Sequence, residues 1–289
     1  MWTAVRTQTN GRLDVTVYPA NASIPGSDPA ALEMLRTGEL EFFTLMGGIL
    51  GNVVPVAEIQ ELPFAFADNR QVYAANDGAL GAYIGRECAA KSIYRFQYGL
   101  LENGFRETCM INRPIRTVDD FAAVRIRVPD ARMIRDFFTT LGAEPVTVNI
   151  RDLYDALKTH RVDGQENPLV VIEVNRLYEV CKYVSMTRHM WSGFNLLANQ
   201  TFWNALPPDI HQCVERNVRH YVAAQRAYAI ATNRALKAKL VTERGMVLNV
   251  PDIPGFTRKL GTGFYQRWKR ELGSRAWSLL EAETGRLVT

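Results

Sequence analysis

Apolar and polar positions along the chain recur with periods that predict short strands separated by amphipathic helices. Leu13 to Tyr18 alternates like a half-buried strand, and Pro19 to Pro29 is rich in turn formers. A short helix follows to Thr37 with Gly38 as its stop, then a strand over Leu40 to Leu45 that ends in Gly47-Gly48. Strand, helix, strand is the order of a parallel α/β unit. Ile93 to Leu101 and Arg106 to Ile111 predict two more strands around a turn at Glu102-Asn103-Gly104.

The middle of the chain repeats the alternation. Thr117-Val118-Asp119-Asp120 fits a capping box opening one helical turn, and Val124-Arg125-Ile126-Arg127-Val128 reads as a strand closed by Pro129. Asp130 is expected to cap a helix carrying Met133, Ile134, Phe137, Phe138 and Leu141 on one face, ended by Gly142. A strand at Pro145 to Val148, a helix from Arg151 to Thr159 and a strand at Val162 to Gln165 complete a run of βαβ units. Beyond Pro208, as far as Arg244, there is neither Gly nor Pro, and Ile210, Val214, Val218, Tyr221, Tyr228, Ala231 and Leu240 keep helical spacing. This stretch fits two helices with a bend or a single helix of about 50 Å laid across two lobes.

Composition narrows the class. With 289 residues, 47% hydrophobic and 22% charged, the chain is long enough for two lobes with separate cores. The formal charge of +4 comes from scattered Lys and Arg, without the basic, aromatic-interleaved runs of a nucleic-acid surface. Cys88, Cys109, Cys181 and Cys213 fall in no metal-binding or redox spacing and read as packed thiols. No stretch approaches the roughly 18 apolar residues of a membrane span. Met1 to Gly11 reads as the tail of an amphipathic helix stopped by Asn10-Gly11, so an upstream segment is expected to be missing.

Arg127 is the most informative single residue. It is the last polar residue of its strand before a helix begins, where ligands of open α/β sheets bind, and its planar fork suits a carboxylate. The same pattern also fits an arginine on a solvated edge strand. Asn167, held extended by Pro168, can point its amide into a cleft, cap the following helix, or do both. His189, beside Trp191, stands where it can face a ligand. The fingerprints of hydrolases, zinc proteases, P-loop proteins and dinucleotide enzymes are absent from the sequence. A Cys109–His189 nucleophile pair has no local sequence support.

Thr9-Asn10-Gly11-Arg12-Leu13, Glu61-Leu62-Pro63-Phe64-Ala65-Phe66, Asn103-Gly104-Phe105-Arg106, Arg113-Pro114-Ile115-Arg116-Thr117, Ile126-Arg127-Val128-Pro129, Asp163-Gly164-Gln165-Glu166-Asn167-Pro168 and Phe202-Trp203-Asn204-Ala205-Leu206-Pro207-Pro208 occur in that order. In this the chain resembles the DctP-type substrate-binding proteins of tripartite ATP-independent periplasmic (TRAP) transporters, over nearly its whole length. The resemblance implies a periplasmic clamshell of two α/β lobes, joined by crossing strands and a long helix spanning both, with the ligand cleft between them. Lobe I is expected over 1–104 plus 193–232, and lobe II over 105–192 plus 233–289.

The same resemblance implies that Arg127 binds a substrate carboxylate, that Asn167 hydrogen-bonds it and that Arg106 assists, with Gln165 and Phe64 as further candidates. It implies delivery of a small organic acid to small and large membrane subunits driven by an ion gradient, with no cofactor and no catalysis. A monomer is the default. Ile150 replaces an aromatic residue common in the family, and Gly47 and Gly48 replace hydroxyl residues. His189 and Trp191 are expected to compensate with bulk and one hydrogen bond. The resemblance places a signal peptide, a first strand and part of a helix upstream of Met1, so a late start or truncation is expected. An α/β enzyme acting on a carboxylate or ester in the same cleft, and a non-functional fragment, are the competing readings.

Overall fold

The computed structural model describes residues 1–19 and 26–287, so part of the turn-rich stretch between Pro19 and Pro29 lies outside the described residues. In chain order the elements are α1 (Trp2–Gln8), α2 (Asp28–Thr37), β1 (Phe42–Met46), α3 (Gly47–Leu50), a 3-10 turn (Pro55–Glu61), α4 (Asn69–Asp77), α5 (Ala79–Ala89) and β2 (Ile93–Met110). A capped 3-10 turn (Val118–Phe121) leads to β3 (Arg125–Val128), α6 (Arg132–Leu141), β4 (Glu144–Thr147), a 3-10 turn (Ile150–Asp152), α7 (Leu153–Lys158), β5 (Gly164–Asn167) and α8 (Leu169–Val174). Then come β6 (Tyr183–Asn199), α9 (Gln200–Ala205), α10 (Pro208–Thr242), β7 (Val247–Asn249), α11 (Ile253–Leu272) and α12 (Ser274–Thr284).

One seven-stranded sheet runs through the molecule in the order β1-β6-β2-β5-β3-β4, with β7 pairing β6. The βαβ run behaves as its pattern predicts: β3 pairs β4 and β5 in parallel. The other pairings on the path are antiparallel, including β1 with β6 rather than with a strand before it. Leu13 to Tyr18 forms no strand: it lies across a cavity from Leu40 to Thr44 on the edge of the sheet without joining its ladder. Val17 and Tyr18 are left exposed.

The expected turn at Glu102-Asn103-Gly104 is not a turn. β2 passes straight through it as an 18-residue strand, paired along β6 with register shifts between Glu102 and Gly104 and between Arg106 and Thr108. Gly104 sits at φ 133°, a conformation that glycine alone adopts without strain, and absorbs the irregularity. The turn-forming residues therefore mark a bulge in a crossing strand. Side chains of α10 brace that point: Gln225 donates to the Glu102 carbonyl at 2.8 Å and accepts from its amide at 2.9 Å, and Asn233 donates to the Asn103 carbonyl at 2.8 Å.

α10 is a single helix of 35 residues, as the unbroken helical spacing allows. Its first half packs Ile210, Val214, Val218 and Val222 with Val5, Phe96 and Leu196, whereas Leu236 and Leu240 join a separate cluster with Leu153, Ile172 and Met186. The helix thus splints two regions of core. On α6 the five expected apolar residues are buried, but Asp130 does not cap it. Asp130 pairs with Arg135 at 3.1 Å, and the first turn of α6 is held by Glu58, which accepts from the Met133 amide at 3.1 Å and from Arg132 Nε at 2.9 Å. All four cysteines are free and buried.

Candidate solute-binding site

β3 and β5 run side by side with Arg127 opposite Gln165, at the carboxyl end of the parallel strands. Arg127 is 3% exposed, so the solvated edge-strand alternative does not apply. Its Nε donates to the Val148 carbonyl at 2.8 Å. Among the described residues no carboxylate forms an ion pair with it. Burial pushes its pKa down to about 10; Glu166 and, more weakly, Asp28 counter that push, and Arg106 adds to it. A buried guanidinium paired only with a carbonyl retains unspent donors in a low-dielectric setting, and an anion is the partner that setting favours.

Beside it lies a fully buried ionic knot. Arg106 forms an ion pair with Glu166 through Nε, donates from its second terminal nitrogen to Glu166 Oε1 at 2.6 Å and to Asn167 Oδ1 at 3.2 Å, and from the other to Ser192 Oγ at 3.1 Å. Glu166 also takes a hydrogen bond at 3.1 Å from His189 Nε2, while His189 Nδ1 faces Thr187 Oγ1 at 2.8 Å. Burial drives the His189 pKa down, with Glu166 countering, so the ring is neutral: Nε2 carries the proton and Nδ1 accepts from Thr187. Burial raises the Glu166 carboxyl, but Arg106 and His189 outweigh it and leave Glu166 ionised.

The remaining candidates fall at different depths. Asn167 does not cap a helix; its Nδ2 donates to Gln165 Oε1 at 2.6 Å, which fixes both amides. Gln165 is fully buried, and its Nε2 has no partner among the described residues. Phe64, with φ 54°, donates its amide to the His189 carbonyl at 2.9 Å and packs edge-on against Phe137, which stacks on His189. Ile150 is half-buried against the cluster around Val148 and Leu153. A side chain on Gly47 would come within 2.7 Å of the Ala57 carbonyl, so close backbone packing requires glycine there.

Trp191 is not gathered into this group. It is 1% exposed and donates Nε1 to the Glu102 carboxylate at 3.1 Å, where β2 crosses β6, with Tyr73 and Asn69 as further partners of Glu102. Cys109 and His189 lie in different parts of the core, the first in the cluster with Val148 and Leu153, the second against Phe137 and Phe138. Two acids escaped the sequence reading, Glu166 and Glu61. Both lie inside the motifs quoted above, Glu166 between Gln165 and Asn167 and Glu61 between Gln60 and Leu62, so the available signal was their place in those motifs and not an apolar setting.

The fold and this group define an α/β solute-binding protein. Residues 1–261 match the family described as bacterial extracellular solute-binding protein, family 7 (DctP), and the chain belongs to that family. Membership makes it a binding protein with the clamshell fold and not an enzyme. It is 28% identical over 275 residues to the sialic acid-binding periplasmic protein SiaP of Vibrio cholerae, covering 94% of this chain and 83% of that one. A TRAP periplasmic solute-binding protein from Chromohalobacter salexigens with bound D-glucuronate superposes with a TM-score of 0.90 at 26% identity, covering 98% of this chain and 92% of that one. One from Polaromonas bound to D-erythronate also superposes at 0.90 with 26% identity, covering 99% and 92%.

Proposed function

We propose that the chain captures a small organic carboxylate in the cleft between a lobe formed by 1–104 plus 193–232 and one formed by 105–192 plus 233–289. It then delivers the solute, in the periplasm, to the small and large membrane subunits of a TRAP transporter. The observation that carries this reading is Arg127, a buried guanidinium at the carboxyl end of a parallel strand with no acidic partner among the described residues. The acids named for the relatives, sialic acid, D-glucuronate and D-erythronate, support it.

In this reading Arg127 takes the carboxylate through two terminal N–H groups, while Gln165 Nε2 and the Asn167 amide beside it supply neutral donors. Arg106 is a positioning residue. Of its five N–H donors, Glu166, Asn167 and Ser192 leave at most one for a solute. His189 holds Glu166, and Phe64 and Phe137 hold His189. β2, β6 and α10, which pass from one lobe to the other, are the hinge.

Calorimetric titration with a panel of sugar acids and simple carboxylates, repeated on Arg127→Ala, tests the reading. Binding that weakens at least tenfold in the variant supports it, and equal affinities for wild type and variant overturn it.

A further inference from the structure

Among the described residues five buried side-chain polar atoms have no hydrogen-bond partner, and three of them are Glu61 Oε1, Glu61 Oε2 and Gln165 Nε2. Glu61 closes the 3-10 turn Pro55–Glu61 and is 1% exposed. Its carboxyl lies against Gly48 at the start of α3, whose free face in turn meets Ala131 just before α6: a Cβ added to Gly48 would touch Glu61 Oε2 and come within 2.8 Å of the Ala131 Cβ. Glu61 therefore stands at the seam between the proposed lobes, within the residues assigned to the first lobe, whereas Arg127 belongs to the second.

Its electrostatic neighbours are Arg106, Glu166 and Glu58, and the Gly48 amide faces it without forming a well-shaped hydrogen bond. Burial pushes the carboxyl up to about 7, against the pull of Arg106 and the Gly48 amide. A carboxyl in that state, with both oxygens unspent, is costly unless a donor reaches it. Two kinds of ligand donor could do so, an ammonium or a hydroxyl. Arg106 and Arg127 already place two guanidinium groups in the same cluster, which disfavours a further cation and leaves the hydroxyl.

We infer that Glu61 is a specificity-determining residue that reads a hydroxyl of the bound acid, so that the preferred solutes are hydroxylated or polyhydroxylated carboxylates rather than plain alkyl acids. This rests on the carboxylate-binding reading above. With Arg127 holding the carboxylate from one lobe and Glu61 a hydroxyl from the other, only a hydroxy acid ties the two lobes together. A site built to pair a hydroxyl discriminates strongly against the analogue lacking it, because its own buried group is then left unpaired.

The test compares D-glucuronate, D-erythronate and butanoate, the last two sharing one carbon skeleton with and without hydroxyls. Calorimetry and thermal shift are run on wild type, Glu61→Gln, Glu61→Ala and Arg127→Ala. Wild type should bind at least one hydroxy acid about tenfold or more tighter than butanoate. Glu61→Ala should remove that preference by weakening the hydroxy acid and leaving butanoate within about twofold, and Glu61→Gln, which keeps an acceptor, should recover part of it. Arg127→Ala should weaken all three. A Glu61→Ala protein that keeps the wild-type preference, or that weakens all three acids equally, overturns the inference while leaving the carboxylate reading in place. A wild type that binds none of the three, or binds butanoate as well as the hydroxy acids, also overturns it. Wild-type affinities in Arg127→Ala overturn the carboxylate reading itself.

Discussion

Arg127 commits its Nε to the carbonyl of Val148 at 2.8 Å and carries its charge into the interior with no acid in ion-pair contact among the described residues, Glu166 and Asp28 acting on it only at longer range. That contact orients the guanidinium but does not neutralise it, and its pKa, held down near 10 by burial, records the cost. Arg127→Ala should therefore leave the ligand-free protein at least as stable as wild type while weakening binding of a carboxylate roughly 30-fold to several thousand-fold. Arg127→Lys should recover little, since an ammonium cannot make the parallel pair of bonds. Thermal melts without ligand and calorimetry with it check the two halves separately.

Arg106 should behave in the opposite way. Its removal leaves Glu166 buried with only the neutral His189 and no cation in contact, a situation that costs about 3 to 5 kcal/mol. Arg106→Ala is expected to lower Tm by roughly 5 to 8 °C before any ligand is added. A variant with wild-type Tm but lost binding would show that Arg106 acts on the solute and not through Glu166.

Glu107 sets a pH dependence. It is 3% exposed, and burial raises its carboxyl to about 8 despite the hydrogen bond from the Arg188 amide and the charges of Arg188 and Lys237. From about pH 4.5 to pH 8 the folded protein holds a proton that the unfolded chain has released, so the contribution of Glu107 to stability falls as pH rises through that window. Glu107→Gln keeps the acceptor and has no such proton. The Tm of the variant relative to wild type should climb by roughly 5 °C between pH 5 and pH 8, and a constant gap would rule out a raised carboxyl.

Gly48 tests the seam between α3 and α6. Gly48→Ala would bring its Cβ within 2.8 Å of Ala131, which sits on backbone that cannot rotate aside. The expected loss is about 1 to 3 kcal/mol in urea unfolding, and ligand affinity should fall with it if the seam closes around the solute.

Much of this architecture was legible locally. The apolar stripe of α6, the parallel run β3-β4-β5 and the unbroken α10 follow from side-chain spacing that any segment carries within itself. Arg127 stood out because a charge late in a short strand conflicts with its apolar neighbours. The failures were those of partnership. Leu13 to Tyr18 has a strand's alternation yet joins no ladder, and Glu102-Asn103-Gly104 has turn residues yet is carried straight through by β6 on one side and Gln225 and Asn233 of α10 on the other.

The chain by itself determined the helices α6 and α10, the parallel run β3-β4-β5, which residues form the family's motifs, and that an arginine would stand late in β3. Tertiary structure alone decided that Arg106 is consumed by Glu166, that His189 and Trp191 belong to separate buried networks, and that both oxygens of Glu61 lack a hydrogen-bond partner among the described residues. Periodicity is a property of neighbours in sequence, whereas desolvation and hydrogen-bond partnership depend on groups that folding brings from 60 or more positions away, as with Arg106 and Glu166.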